Sequence, residues 1–287
     1  MTGTLSAAMG IAAALAVGLA ALSAGANPAA PPGDAPSRTL RVCADPNNLP
    51  FSNERREGFD NVIAQLIAGE LGAELEYTWW AQRRGFIRNT LGADECDLVF
   101  GVPPGSERAL ATRPYYRSTY AFVTRPDLAP PIRSMDDARL RRLRVGVHLI
   151  GDDYTNTPPA HALARRGITD NVAGYTVYGD YREPNPPARL VEAVARGDVD
   201  VAIVWGPLAG YFAPRQSPHL TVTPLAVESD GPALPFAFDV AMAVRRGDDS
   251  LHAKVEAVLQ RRRGTIDSIL RAYGVPLAAA GAPRGAP

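Results

Sequence analysis

The residues of this 287-residue chain that carry chemistry cluster at the ends of strand-like runs, and their types suit holding a ligand better than transforming one. "LRVCADPNNLPF" ends an apolar run with Asp45, Asn47, Asn48 and Phe51. In an open α/β sheet the carboxyl ends of strands are where ligands sit, so these four are expected to line a cleft. "PGSER" puts backbone N–H groups and the Arg108 guanidinium ahead of a helical stretch, a pattern that suits an anion or a carboxylate. "VDVAIVWGPLAGYFA" ends a buried strand on Trp205, fixed by Gly206 and Pro207. An indole there makes a flat apolar wall, suited to a ring or a peptide. Trp79 and Trp80 end another strand; alternation sends them to opposite faces, so one of the two is expected at the cleft. Asp152 and Asp153, in "GDDYTNTPP", have the oxygen chemistry for a hard cation, a lanthanide included. Turn formation and helix capping with Thr155, Asn156 and Thr157 explain them more simply, and no metal site is expected.

Catalytic chemistry is hard to assemble. His148, His161, His219 and His252 are far apart, without H-E-x-x-H spacing, and no C-x-x-C-H haem attachment site occurs. An enzyme on this scaffold, such as a dehydratase, would need a tuned acid or base. Its candidates, Asp45, Glu107 and Asp152, have no recognisable partner. A non-catalytic protein without a cofactor is expected. Cys43 and Cys96 both lie in strand-like stretches, and in an oxidising compartment they are expected to pair. Closing that loop is worth about 4 kcal/mol in the chain-entropy model.

The elements that must position these residues read as two similar sets. "AAMGIAAALAVGLAALSAGA" is uncharged and apolar, and Ala24-Gly25-Ala26 fits an A-x-A cleavage site, so residues 1–26 are expected to be a signal peptide for export to the periplasm. Residues 27–37 read as a linker, and no later run approaches the ~20 apolar residues of a membrane span. Strand "LRVCA", helix "NVIAQLIAGELGA", strand "ELEYTWW", a short helix and strand "CDLVFGV" give β-α-β-α-β, hence a parallel sheet. "RRLRVGVHLIG" starts a second such set that ends at Trp205. "TYAFVTRPD" and "FAFDVAMAVRRGD" cross between the sets as a two-stranded hinge. Lobe 1 is then 38–122 plus 238–276, lobe 2 is 123–237, and 277–287 is a flexible tail. Charge is balanced, with 30 Lys and Arg against 30 Asp and Glu, which removes the electrostatic case for nucleic acid.

The order and wording of these runs resemble the type II periplasmic solute-binding proteins. The stretches that carry this are "LRVCADPNNLPF", "GFDNVIAQLIAGELG", "ADECDLVFGV", "PYYRSTYAFVTR" and "VEAVARGDVDVAIVW". The resemblance implies a two-lobed α/β fold with two open, mainly parallel sheets. Polar amino-acid binders of this type pair the ligand carboxylate with an arginine, which Arg108 matches. They hold its ammonium with an aspartate, and Trp205 stands in that place. An indole cannot neutralise an ammonium as a carboxylate does, so a zwitterionic amino acid is an unfavourable ligand. "GDDYTNTPPAHALARRGI", "VYGDYREPNPPARLVEAVARGDVDVA" and "WGPLAGYFA" are similar to the MxaJ/XoxJ-type family, which accompanies pyrroloquinoline-quinone (PQQ) methanol dehydrogenases in methylotrophic bacteria. That implies an accessory protein whose partners are a calcium- or lanthanide-type dehydrogenase and its cytochrome c. A receptor handing a small solute to an ABC-type transporter fits the same fold.

Overall fold

Leu40, Val42, Cys43 and Ala44 are buried along β1 (Arg38–Ala44), so this strand is covered on both faces, as a central parallel strand must be. The computed structural model describes residues 38–150, 156–176, 180–226, 229–231 and 234–279. After β1 come two short pairing strands, β2 (Asn47–Asn48) and β3 (Ser52–Asn53), and then α1 (Phe59–Leu71). Phe59, Ile63, Ala64, Ile67 and Ala68 form the buried stripe of α1, the i, i+4 repeat of a helix lying on a sheet. Gly72 ends it in a left-handed turn, φ 60°. The chain continues through β4 (Ala73–Trp79), α2 (Phe86–Asn89), β5 (Leu98–Val102), β6 (Leu110–Ala111) and β7 (Tyr116–Thr124).

The second set is β8 (Val145–Leu149), α3 (Pro158–Arg165), β9 (Val172–Thr176), α4 (Arg189–Arg196), β10 (Val201–Trp205) and α5 (Gly206–Phe212). In α4 the buried residues are Leu190, Val191, Ala193 and Val194, and Gly197 (φ 78°) stops the helix. The chain finishes with β11 (Thr221–Pro224), β12 (Ala237–Val244), α6 (Asp249–Arg261) and α7 (Arg263–Ala272). Among the described residues no helix is long and apolar enough to cross a membrane.

The strands follow the order β4-β1-β5-β12-β7-β10-β8-β9. The trios β4-β1-β5 and β10-β8-β9 are parallel, while β12 and β7 run antiparallel to their neighbours. The two crossing strands pair with each other, Ala237 to Val240 against Thr119 to Tyr116. The two lobes are therefore joined through the expected two-stranded connection, β7 and β12, which also links their strands into one hydrogen-bonded path. One apolar core lies under β1, β5, α1, α6 and α7. Two more lie on opposite faces of the β8–β10 sheet, one under α4 and α5, the other under α3. Leu277 and Ala278, placed by sequence at the start of a flexible tail, run along β7: Ala278 N–H donates to Arg117 O at 3.0 Å.

Candidate functional site

Trp205 closes β10, and its ring is partly buried against all three cores. It meets Tyr120 edge to face at 5.4 Å and Phe238 at 5.8 Å. These are arrangements that the ring quadrupoles favour. The glycine after Trp205 is required by space: a Cβ on Gly206 would sit 2.4 Å from Thr119 O and 2.5 Å from Pro276 Cγ. Glycine lets the start of α5 press against β7 and fixes where the indole points.

Trp205, Tyr116, Tyr120, Phe238 and Phe51 form the aromatic part of an open cavity of about 440 Å³. Its polar groups are Asn48, Asp60, Gln82 and Asp239, and its lining includes no Lys, Arg or His. Asp239 is answered by Arg117 at 3.1 Å. Among the described residues no ion pair of this kind is found at Asp60. It is 7% exposed, and the side-chain hydrogen bond it receives among the described residues comes from Tyr115 Oη at 2.8 Å. Burial pushes the Asp60 pKa up to about 8, opposed only in part by the Tyr115 hydrogen bond. The Gln82 Nε2 donates to Phe100 O at 3.1 Å, leaving the amide oxygen to accept from a ligand.

The residues singled out from sequence scatter more widely than expected. Phe51, Asn48 and Trp205 line the cavity. Gly206 is buried behind it and acts through spacing. Asp45 is 2% exposed and fully engaged, accepting from Asn47 N (2.9 Å), Gln82 N (2.7 Å) and Tyr181 Oη (2.5 Å). Tyr181 belongs to the segment before α4, so Asp45 ties the two lobes together and is not presented to a ligand. Asn47 does the same, donating to Glu183 O at 2.9 Å. Trp79 lies outside the cavity lining, stacked on Tyr77 at 4.7 Å, and Trp80 is 43% exposed. Trp79 is partly buried and Trp80 exposed, and β4 is the edge strand of the order, away from the cavity lining. Arg108 is exposed between β5 and β6 and is also outside the lining, because that segment leaves the sheet before turning back. Asp152 and Asp153, like the expected signal peptide and linker, lie outside the described residues. Cys43 and Cys96 form a disulfide, with Cα atoms 5.6 Å apart.

Asp60, Tyr116, Tyr120 and Phe238 are the cavity residues that sequence reasoning passed over. Asp60 drew no assignment of its own from sequence, standing at the start of the helix "GFDNVIAQLIAGELG". Tyr120 and Phe238 sit in the stretches read as hinge, and Tyr116 lies just before the first of them. The one available signal was the density of aromatic residues in "PYYRSTYAF" and "FAFD" beside Trp205.

A family model for the bacterial extracellular solute-binding proteins, family 3, matches residues 40–276. Protein MoxJ of Methylorubrum extorquens AM1 is 33% identical over 251 residues, 83% of this chain and 81% of that protein. Protein MoxJ of Paracoccus denitrificans is 31% identical over 258 residues, 86% of this chain and 92% of that protein. The crystal structure of the periplasmic binding protein XoxJ from Methylobacterium extorquens AM1 superposes with a TM-score of 0.69 at 34% identity, covering 84% of this chain and 100% of that one. MxaJ from Methlophaga aminisulfidivorans MPT gives 0.72 at 26% identity, with coverage of 84% and 100%. Two parallel trios joined through β7 and β12, a cleft at their strand ends and a match spanning nearly the whole described chain agree: this chain belongs to the bacterial extracellular solute-binding proteins, family 3, and within them to the group of MoxJ, MxaJ and XoxJ.

Proposed function

We propose that this chain is a non-catalytic periplasmic accessory protein of a PQQ-dependent alcohol dehydrogenase, whose cleft receives a segment of the dehydrogenase and assists its maturation. The observation that carries the reading is Trp205 at the end of β10, where amino-acid receptors of this fold have a carboxylate. Aromatic groups wall the cavity around it, and among the described residues its lining offers no cation for a free carboxylate. Aromatic anchors in a desolvated pocket are how protein interfaces concentrate binding energy. Of the acids that sequence offered for catalysis, Asp45 spends its oxygens on three internal donors. On this reading lobe 1 comprises 38–122 and 238–276, and lobe 2 comprises 123–237. A signal peptide in 1–26 delivers the chain to the periplasm, where the dehydrogenase, of calcium or lanthanide type, and its cytochrome c are the partners.

The test is co-purification from methanol-grown cells using the tagged, exported chain. Enrichment of the quinoprotein dehydrogenase, identified by mass spectrometry and lost in a Trp205→Ala variant, is expected. Deletion of the gene should lower dehydrogenase activity per enzyme molecule. No enrichment and normal specific activity, together with tight calorimetric binding of a free small solute, would move the assignment to a transport receptor.

A further inference from the structure

One carboxyl group in the cleft has a surrounding that its local structure does not require. Asp60 opens α1, yet it is 7% exposed and lines a cavity otherwise walled by rings. A buried carboxylate without a counter-ion is costly, so it persists only where something offsets the cost. Tyr115 satisfies one oxygen, at Oδ1. No further side-chain donor to Asp60 and none to the Gln82 amide oxygen is found among the described residues, and both side chains line the cavity. Trp205, Tyr120 and Phe238 line the same cavity, and the faces of such rings attract a cation. Among the described residues the lining contains two carboxylates and no basic side chain, and one of the two, Asp239, already has Arg117. A zwitterion would bring a carboxylate with nothing to meet it.

We infer that the cleft is a binding site for an alkylammonium group without a neighbouring carboxylate, held between Asp60 and the aromatic wall of Trp205, Tyr120 and Phe238. A lysine side chain in a protein segment and a free organic amine share this chemistry. The inference takes from the proposed function only that the cleft is where binding occurs. Because burial holds the empty-site Asp60 at a pKa of about 8, cation binding releases a proton from it at neutral pH. The titratable and charged groups around it are Tyr115 and Tyr116 on the approach to β7, Tyr77 on β4 with Arg56 over its ring, Asp45 after β1, and the Arg117–Asp239 pair. Burial raises the three tyrosines above their usual range, so they stay protonated between pH 6 and 8.

The experiment is calorimetric titration of the full chain with n-butylammonium chloride, with 1-butanol as neutral isostere, and with N-acetyl-lysine N-methylamide, between pH 6 and 8. The cations should bind at least about tenfold more tightly than 1-butanol, as expected for a charge-assisted contact. Their affinity should rise by close to a factor of ten per pH unit, with matching proton release. Asp60→Asn should remove both the preference and the pH dependence, while Trp205→Ala weakens cation and alcohol alike. Tighter binding of the lysine derivative identifies a protein side chain as the occupant; tighter binding of butylammonium identifies a free amine. Equal binding of 1-butanol, or a flat pH profile in the wild-type chain, overturns the inference without any variant needing to fold. Alkylammonium binding with no dehydrogenase binding would leave the site standing and remove the proposed partner.

Discussion

Asp60 should cost the fold stability at neutral pH, and replacing it should return that stability. The unfolded carboxyl ionises near 3.8 and the folded one near 8, because burial disfavours the charged form. A group whose folded pKa is raised binds its proton more tightly when folded, so stability falls as pH climbs from about 4 to about 8. At pH 7 the span is about three pKa units, which at 1.36 kcal/mol each gives about 4 kcal/mol; at pH 4 the term has nearly vanished. Asparagine has almost the same shape and no charge. Whatever fixed amount Asp60→Asn gains or loses through its contact with Tyr115, the difference between its effect at pH 7 and at pH 4 should approach 4 kcal/mol. Urea unfolding of both proteins, followed by circular dichroism at half-unit pH steps, measures this directly. The two stability curves should diverge as pH rises, the variant becoming the more stable. Parallel curves would mean that Asp60 is ionised and solvated in the folded chain, and the reasoning about its burial would be wrong.

Removing the Cys43–Cys96 bridge by a double serine substitution should cost about 4 kcal/mol, lowering Tm by about 8 to 16 °C in a thermal scan under non-reducing conditions. Gly206→Ala places a methyl 2.4 Å from Thr119 O, so it should destabilise by about 1 to 3 kcal/mol and broaden Trp205 fluorescence as α5 is pushed off β7. His148 is 5% exposed, and desolvation lowers its pKa to about 4. Its contribution is complete above about pH 6.5 and is lost as pH falls toward 4, about 3 kcal/mol in all. His148→Gln should flatten that acid limb in urea titrations, whereas Asp60→Asn, with its opposing slope removed, should steepen it.

Much of this architecture was readable in the residues because it rests on short-range patterns. The i, i+4 stripe from Phe59 to Ala68, the strand runs and the glycine stops all follow from local chemistry. So does the end of β10 at Trp205, with Pro207 in the first turn of the helix that follows. The cysteine pairing followed from the compartment and from two strands of one lobe. The cleft itself depends on long-range register, which local patterns do not encode. Asp60 is buried because Tyr115, 55 residues away, donates to it. Tyr120 and Phe238 face Trp205 because β7 pairs with both β12 and β10. Trp80 and Arg108 looked like site residues by type and spacing, but strand order and the path after β5 place them outside the cavity.

The central claim is that the indole-walled cleft is a docking site for the dehydrogenase. The most direct measurement is the affinity of the purified chain for the purified quinoprotein enzyme, by interferometry, for the wild type and for correctly folded Trp205→Ala. Binding at about micromolar strength or better, weakened at least about tenfold by the substitution, is the expected result. Binding that survives the loss of the indole unchanged, or none at about 100 μM, would contradict it.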